Sequence, residues 1–319
     1  MRIIAYATLA ALAVATLGPA SAQPKTVAIT AIVEHPALDA VRDGVKKGLA
    51  DLGHVEGTDV TFTYESAQGN PATAAQIARQ LVGDAPAVIV AISTPSAQAV
   101  AAATKDVPVV FSAVTDPVAA QLVASIDAPG ANITGVSDMA PVGDHIALIR
   151  EITPEVKRLG VIYNPGEANS VSTLGALRTA AEAAGIALVE TTATKSADVQ
   201  AAARGLVGKV DAIYVPTDNT IVSALESAVG VAAEAKLPLF AGDVDSVDRG
   251  ALAAVGFDYA QVGIATAAIV DRVLKGEKPG DIPVAFAAGS DLRLNKTAAA
   301  GIGLTFPQAV LDRAAKIIE

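Results

Sequence analysis

Hydroxyl, amide and carboxylate side chains recur in short clusters along this chain, most of them directly ahead of an Ala-rich stretch. The clusters are Glu34-His35, Ser66-Ala67-Gln68, Ser93-Thr94-Pro95-Ser96, Thr115-Asp116-Pro117, the run from Asn164 to Ser170, Thr217-Asp218-Asn219 and Asp243. Thr94 and Ser96 would set hydroxyls and free backbone N–H groups at a helix start, which suits a carboxylate or another anion. Asp116, Asp218 and Asp243 would bring negative charge, which suits an amine. A small zwitterion such as an amino acid needs both. Taken singly, such residues are also ordinary helix N-caps, and Pro95, Pro117 and Pro165 suit a first helical turn. The case for binding therefore rests on the set converging. Glu167 reads as a partner for a helix dipole. His35, beside Pro36, reads as a solvated loop residue, and His54, after Gly53, as a surface one.

Other chemistry finds little support. No serine sits in a Gly-x-Ser-x-Gly elbow, and there is no Walker loop and no GxGxxG after a first strand. No catalytic set emerges. The chain has no cysteine, and its three histidines are far apart in sequence, so no metal and no cofactor is expected. A net charge of −10 without a Lys/Arg stripe speaks against nucleic acid.

The clusters need elements to hold them. Short β-branched runs alternate with Ala-rich helical stretches: strands at 26–33, 59–64, 87–92, 107–111 and 132–136, then 158–163, 186–191, 212–215, 238–240 and 251–255. Helices are expected between them, including a short one at Pro117–Ala124, one over Ile221–Ala235 and a long one over Tyr259–Leu274. Continuous apolar strands separated by helices predict parallel sheets covered on both faces. The fold class is α/β, with two doubly wound parallel-sheet lobes joined by a multi-strand hinge. Ligands in such sheets bind outside the carboxyl ends of the strands, where the polar clusters fall. Crossings are expected near Asp138, Gly256–Asp258 and Gly289–Asp291. They assign residues 23–138 and 257–289 to one lobe, and 139–256 and 290–319 to the other.

Residues 1–22 read as a signal peptide. Arg2 precedes an apolar run from Ile3 to Leu17, then Gly18-Pro19 and Ala20-Ser21-Ala22. This predicts cleavage after Ala22; a spanning anchor needs ~20 apolar residues, more than this run has. Without a cysteine to carry a lipid, the product is expected to be free in a periplasm.

Several segments resemble one family. They are VEHPALDAVRDG (Val33–Gly44), AISTPSAQA (Ala91–Ala99), VPVVFSAVTDPV (Val107–Val118), NITGVSD (Asn132–Asp138), GVIYNPGEANS (Gly160–Ser170), VDAIYVPTDNTI (Val210–Ile221) and GDVDSVDRGALAAVGFDY (Gly242–Tyr259). The chain resembles the ABC-transporter substrate-binding proteins of the tryptophan/tyrosine type, with the type I periplasmic-binding-protein fold. The resemblance implies a monomeric receptor that closes on a small ligand by hinge motion and docks on a membrane permease. It implies ligand contacts at His35, Thr94, Ser96 and Asp116 in the first lobe, and at Asn169, Ser170, Asp218, Asn219 and Asp243 in the second. The chain has no Trp, six Phe and five Tyr; Phe111, Tyr64, Tyr163 and Tyr214 read as core packing, which leaves the ligand open. A sensor module for a membrane kinase and an exported enzyme are the alternative functions.

Overall fold

Runs such as Val88–Ile92 and Ala212–Val215 are buried at every residue, as central strands of a sheet covered on both faces must be. The computed structural model describes residues 23–319; the expected signal peptide lies outside the described residues. The first half carries β1 (Lys25–Ala31), α1 (Pro36–Asp51), β2 (Val60–Ser66), α2 (Pro71–Gly83), β3 (Val88–Ile92), α3 (Thr94–Ala103), β4 (Val109–Ser112) and β5 (Ile133–Ser137). Next come α4 (Val142–Ile152), β6 (Arg158–Tyr163), α5 (Ala168–Ala183), β7 (Ala187–Thr192), α6 (Val199–Arg204), β8 (Ala212–Val215), α7 (Asn219–Val222), α8 (Leu225–Glu234), β9 (Leu239–Ala241), α9 (Asp245–Asp248) and β10 (Ala253–Gly256). The remainder is α10 (Tyr259–Leu274), β11 (Ala285–Phe286), β12 (Asp291–Asn295), α11 (Lys296–Ile302), α12 (Gln308–Leu311) and β13 (Lys316–Ile318).

Two sheets result, ordered β11-β5-β4-β3-β1-β2 and β13-β12-β10-β9-β8-β6-β7. Counted outward from β5 and from β10, the two share one order, so β5, β4, β3, β1 and β2 have equivalents at the same steps in β10, β9, β8, β6 and β7. Every pairing between these strands is parallel except β10 with β12, an antiparallel pair that apolar runs alone did not reveal. The chain passes between sheets after β5, after β10 and after β11. On the second sheet alternate residues feed separate cores: Ala212 and Tyr214 enter one, Ile213 and Val215 the other.

Two helix expectations fail for local reasons. Pro117–Ala124 is a run of turns, with Gln121 at φ 59°. The helix expected over Ile221–Ala235 is broken into α7 and α8 at Ala224, whose φ of −124° leaves the helical region. His54 is no plain surface residue, since its Nε2 lies 2.8 Å from Asp271 Oδ1 on α10. Tyr64 packs half-buried against the first-lobe core, with the Arg42 guanidinium 4.9 Å above its ring.

Candidate ligand-binding cleft

A cavity lies between the carboxyl ends of the two sets of strands. The first lobe lines it with His35, Ala37, Leu38, Ser93, Thr94, Ala113 and Thr115; the second with Asn169, Thr217, Asp218, Asn219, Val222 and Asp243. Asp138 and Tyr259, at the first two crossings, complete the wall. An outer space of about 1250 Å³ adjoins it, lined from the β1, β2, β6 and β7 ends by residues including Val33, Gln68, Asn164 and Lys195. The cleft therefore runs from the crossing strands β5 and β10 outward to its mouth.

Six expected residues line the cavity: His35, Thr94, Asn169, Asp218, Asn219 and Asp243. Three do not. Asp116 accepts from the Ala119 N–H (2.9 Å), capping its own turn; Ala113, at φ 54°, offsets the loop so that Thr115 lines the cavity. Ser170 donates to Asp218 Oδ2 at 2.6 Å and so orients that carboxylate. Ser96 is buried behind the wall. His35 is not solvated as expected: it is buried, and that burial, with Arg249 as a lesser cause, pulls its pKa down to about 3. The imidazole is therefore neutral.

Ser93, Thr115 and Thr217, members of the polar clusters but not of the expected contact set, also line the cavity, and sequence reasoning missed Asp138 and Tyr259 as lining residues. It also underrated Glu167. This buried carboxylate accepts from the N–H groups of Asn219 (3.1 Å) and Thr220 (3.0 Å) and from Thr220 Oγ1 (2.7 Å). It thereby ties the start of α5 to the start of α7. Asp218 caps α7 through the Ile221 N–H (2.9 Å) and also accepts from the Asn164 N–H. Asp243 accepts from the N–H (2.9 Å) and hydroxyl (2.6 Å) of Ser246. Asp138 accepts from Thr115 Oγ1 (3.1 Å) and Tyr259 OH (2.9 Å).

Burial raises the pKa of all three aspartates; Glu167 pushes Asp218 up further, while hydroxyl donors pull each of them back. None of the described lining residues is Lys or Arg. The same wall carries polar atoms that are buried without a partner: His35 Nδ1, Ser93 Oγ, Thr94 Oγ1, Asn169 Oδ1 and Thr217 Oγ1. Leaving such groups unmatched costs free energy, so the wall is shaped for something that hydrogen-bonds to it. Hydroxyls and a helix start at Ser93-Thr94, with carboxylates at Asp138, Asp218 and Asp243, can hold a small molecule bearing both charges. Among the described residues no group of three or more His, Cys, Asp or Glu is arranged to hold a metal ion.

Two lobes of one topology, closing on a polar cavity through crossing strands, define a binding protein of the periplasmic type. The chain belongs to the ABC transporter substrate binding protein family, whose model matches residues 26–318. Substrate-binding proteins of ABC importers are extracytoplasmic and work with a permease. One relative, a tyrosine-binding protein of Clostridioides difficile (strain R20291), is 40% identical over 86% of this chain and 80% of its own length. A Streptococcus pneumonia ABC domain in complex with L-Trp is 35% identical, with 92% of this chain and 100% of that one covered and a TM-score of 0.90. A ligand-free, open substrate-binding protein from Clostridium difficile is 37% identical, with 92% and 99% covered, yet its TM-score is 0.70. At nearly equal identity, this structure resembles the Trp complex more closely than the open structure. The packing agrees: α3 meets α5 across the cleft, and Ala168 packs against the first-lobe core.

Proposed function

We infer that this protein captures an α-amino acid with an aromatic side chain and delivers it to a membrane permease. The observation that carries this is the third strand step from the crossings. There Ser93 and Thr94, at the end of β3 and the start of α3, are matched by Thr217 and Asp218 at the end of β8. The unpaired hydroxyls and the helix start suit the α-carboxylate; Asp218 suits the ammonium. The lobes comprise residues 23–138 with 257–289, and 139–256 with 290–319. The protein works as a monomer in a periplasm after cleavage behind Ala22. The tyrosine-binding relative and the Trp complex support an aromatic side chain.

Titration calorimetry tests this with L-Tyr and L-Trp beside tyramine, which lacks the carboxylate, and indole-3-propionate, which lacks the amine. Both amino acids are expected to bind and both truncated compounds to fail. Asp218→Ala is expected to weaken binding by more than ~1 kcal/mol, because the ligand's buried ammonium loses its acceptor. If none of the zwitterions binds, the amino-acid reading fails.

A further inference from the structure

Resting on the amino-acid reading, we propose that Asp138, with Tyr259 and Asp243 beside it, forms a subsite for a hydrogen-bond donor at the far end of the ligand's side chain. The protein therefore selects tyrosine and tryptophan over phenylalanine. The zwitterion's charges are met at the third strand step. The first two steps, toward the crossings, hold Asp138, Tyr259, Thr115 and Asp243. Strands lie ~4.8 Å apart, so two steps separate the ends of β3 and β5 by ~10 Å. An ammonium held at Asp218 belongs to the third step, and Asp138 to the first.

The three cavity aspartates differ in what explains them. Asp218 caps α7, and Asp243 accepts the Ser246 N–H at the start of α9; both have a local structural cause. Asp138 caps nothing. Its two partners are hydroxyls from separate segments, Thr115 after β4 and Tyr259 at the start of α10. A carboxylate buried away from any helix start is costly unless well supplied with donors. Each of its oxygens accepts one bond here, and an ionised carboxyl has about four acceptor positions. Room for a further donor remains at the closed end of the cavity, where Ala113 and Tyr259 also form the wall. A phenol O–H or an indole N–H supplies that donor, and a phenyl ring does not.

Calorimetry on the full mature chain provides the test. L-Tyr is compared with L-Phe, and L-Trp with 1-methyl-L-tryptophan, whose indole nitrogen has no hydrogen. A site built around a donor rejects the analogue lacking it, so each first ligand is expected to bind at least about tenfold tighter than its partner. In Asp138→Ala the Tyr/Phe affinity ratio is expected to fall toward one. Thermal melting checks that this variant folds; if it does not, the wild-type ratios decide. Equal wild-type affinity for Tyr and Phe, or an unchanged ratio in a folded Asp138→Ala, overturns the subsite and leaves the amino-acid reading standing. No binding of any of the four overturns both.

Discussion

Ser93 concentrates two costs in one residue. Its φ of 76° and ψ of 159° lie in a region that is essentially glycine's, and its hydroxyl is buried without a partner. Both follow from its position, because β3 ends at Ile92 and α3 starts at Thr94, so one residue must make the turn at the cavity wall. Ser93→Gly is therefore expected to stabilise the fold by ~1 kcal/mol or more, while ligand affinity falls with the lost hydroxyl. Melting temperature and calorimetry read the two effects separately; a variant no more stable than the parent means the turn is unstrained. Such residues mark the limit of what sequence conveys. Thr94, Asp218 and Asp243 were legible because polar residues at predicted strand ends have one place to go. Asp116 was misplaced by one residue because the positive φ of Ala113 leaves no mark in composition. Asp138 and Tyr259 were recognisable as lying at crossings, but a crossing's direction into the cavity is a tertiary fact.

At the scale of elements, α1 and α10 pack tightly against each other in the first lobe. A Cβ on Gly263 would meet Val41 O at 2.2 Å, and one on Gly44 would meet Ala260 O at 2.3 Å. The helices touch backbone to backbone, and the contact fixes both helix starts, His35-Pro36 and Asp258-Tyr259, at the cavity wall. Gly→Ala in an exposed helix interior gains up to ~1 kcal/mol from propensity. Here the sign is expected to reverse, with Gly263→Ala costing ~1–3 kcal/mol through overpacking, measured by urea unfolding. A stabilised variant would mean that the helices can part at no cost. Strand runs and α10 were legible, since continuous burial and a 16-residue helix write strong periodicity. The break between α7 and α8 was not: it rests on Glu167 and Asp218 gripping the N–H groups of Asn219, Thr220 and Ile221, partners contributed in part from another element.

For the whole molecule, the proposed rotation of the lobes would turn on the three crossings, and a ligand would gain contacts from both lobes only when they close. A ligand shifts that balance by no more than its affinity difference for the two forms. In this structure nothing charged with the ligand's task is complete on one lobe: Thr94 and Ser93 lie on the first, Asp218 and Asn169 on the second. The open form therefore offers half a site, and closure should follow occupancy. The absence of cysteine makes a clean measurement available. Glu34, exposed beside the mouth, and Lys195, exposed on the opposite rim, can each be replaced by cysteine and spin-labelled. Without ligand, the label distance is expected to be long and broadly distributed. Saturating L-Tyr is expected to shorten and narrow it, and Asp218→Ala to require more ligand for the same change. A distance distribution that ignores ligand would mean that binding occurs without rotation, and the crossings would then be struts and not hinges.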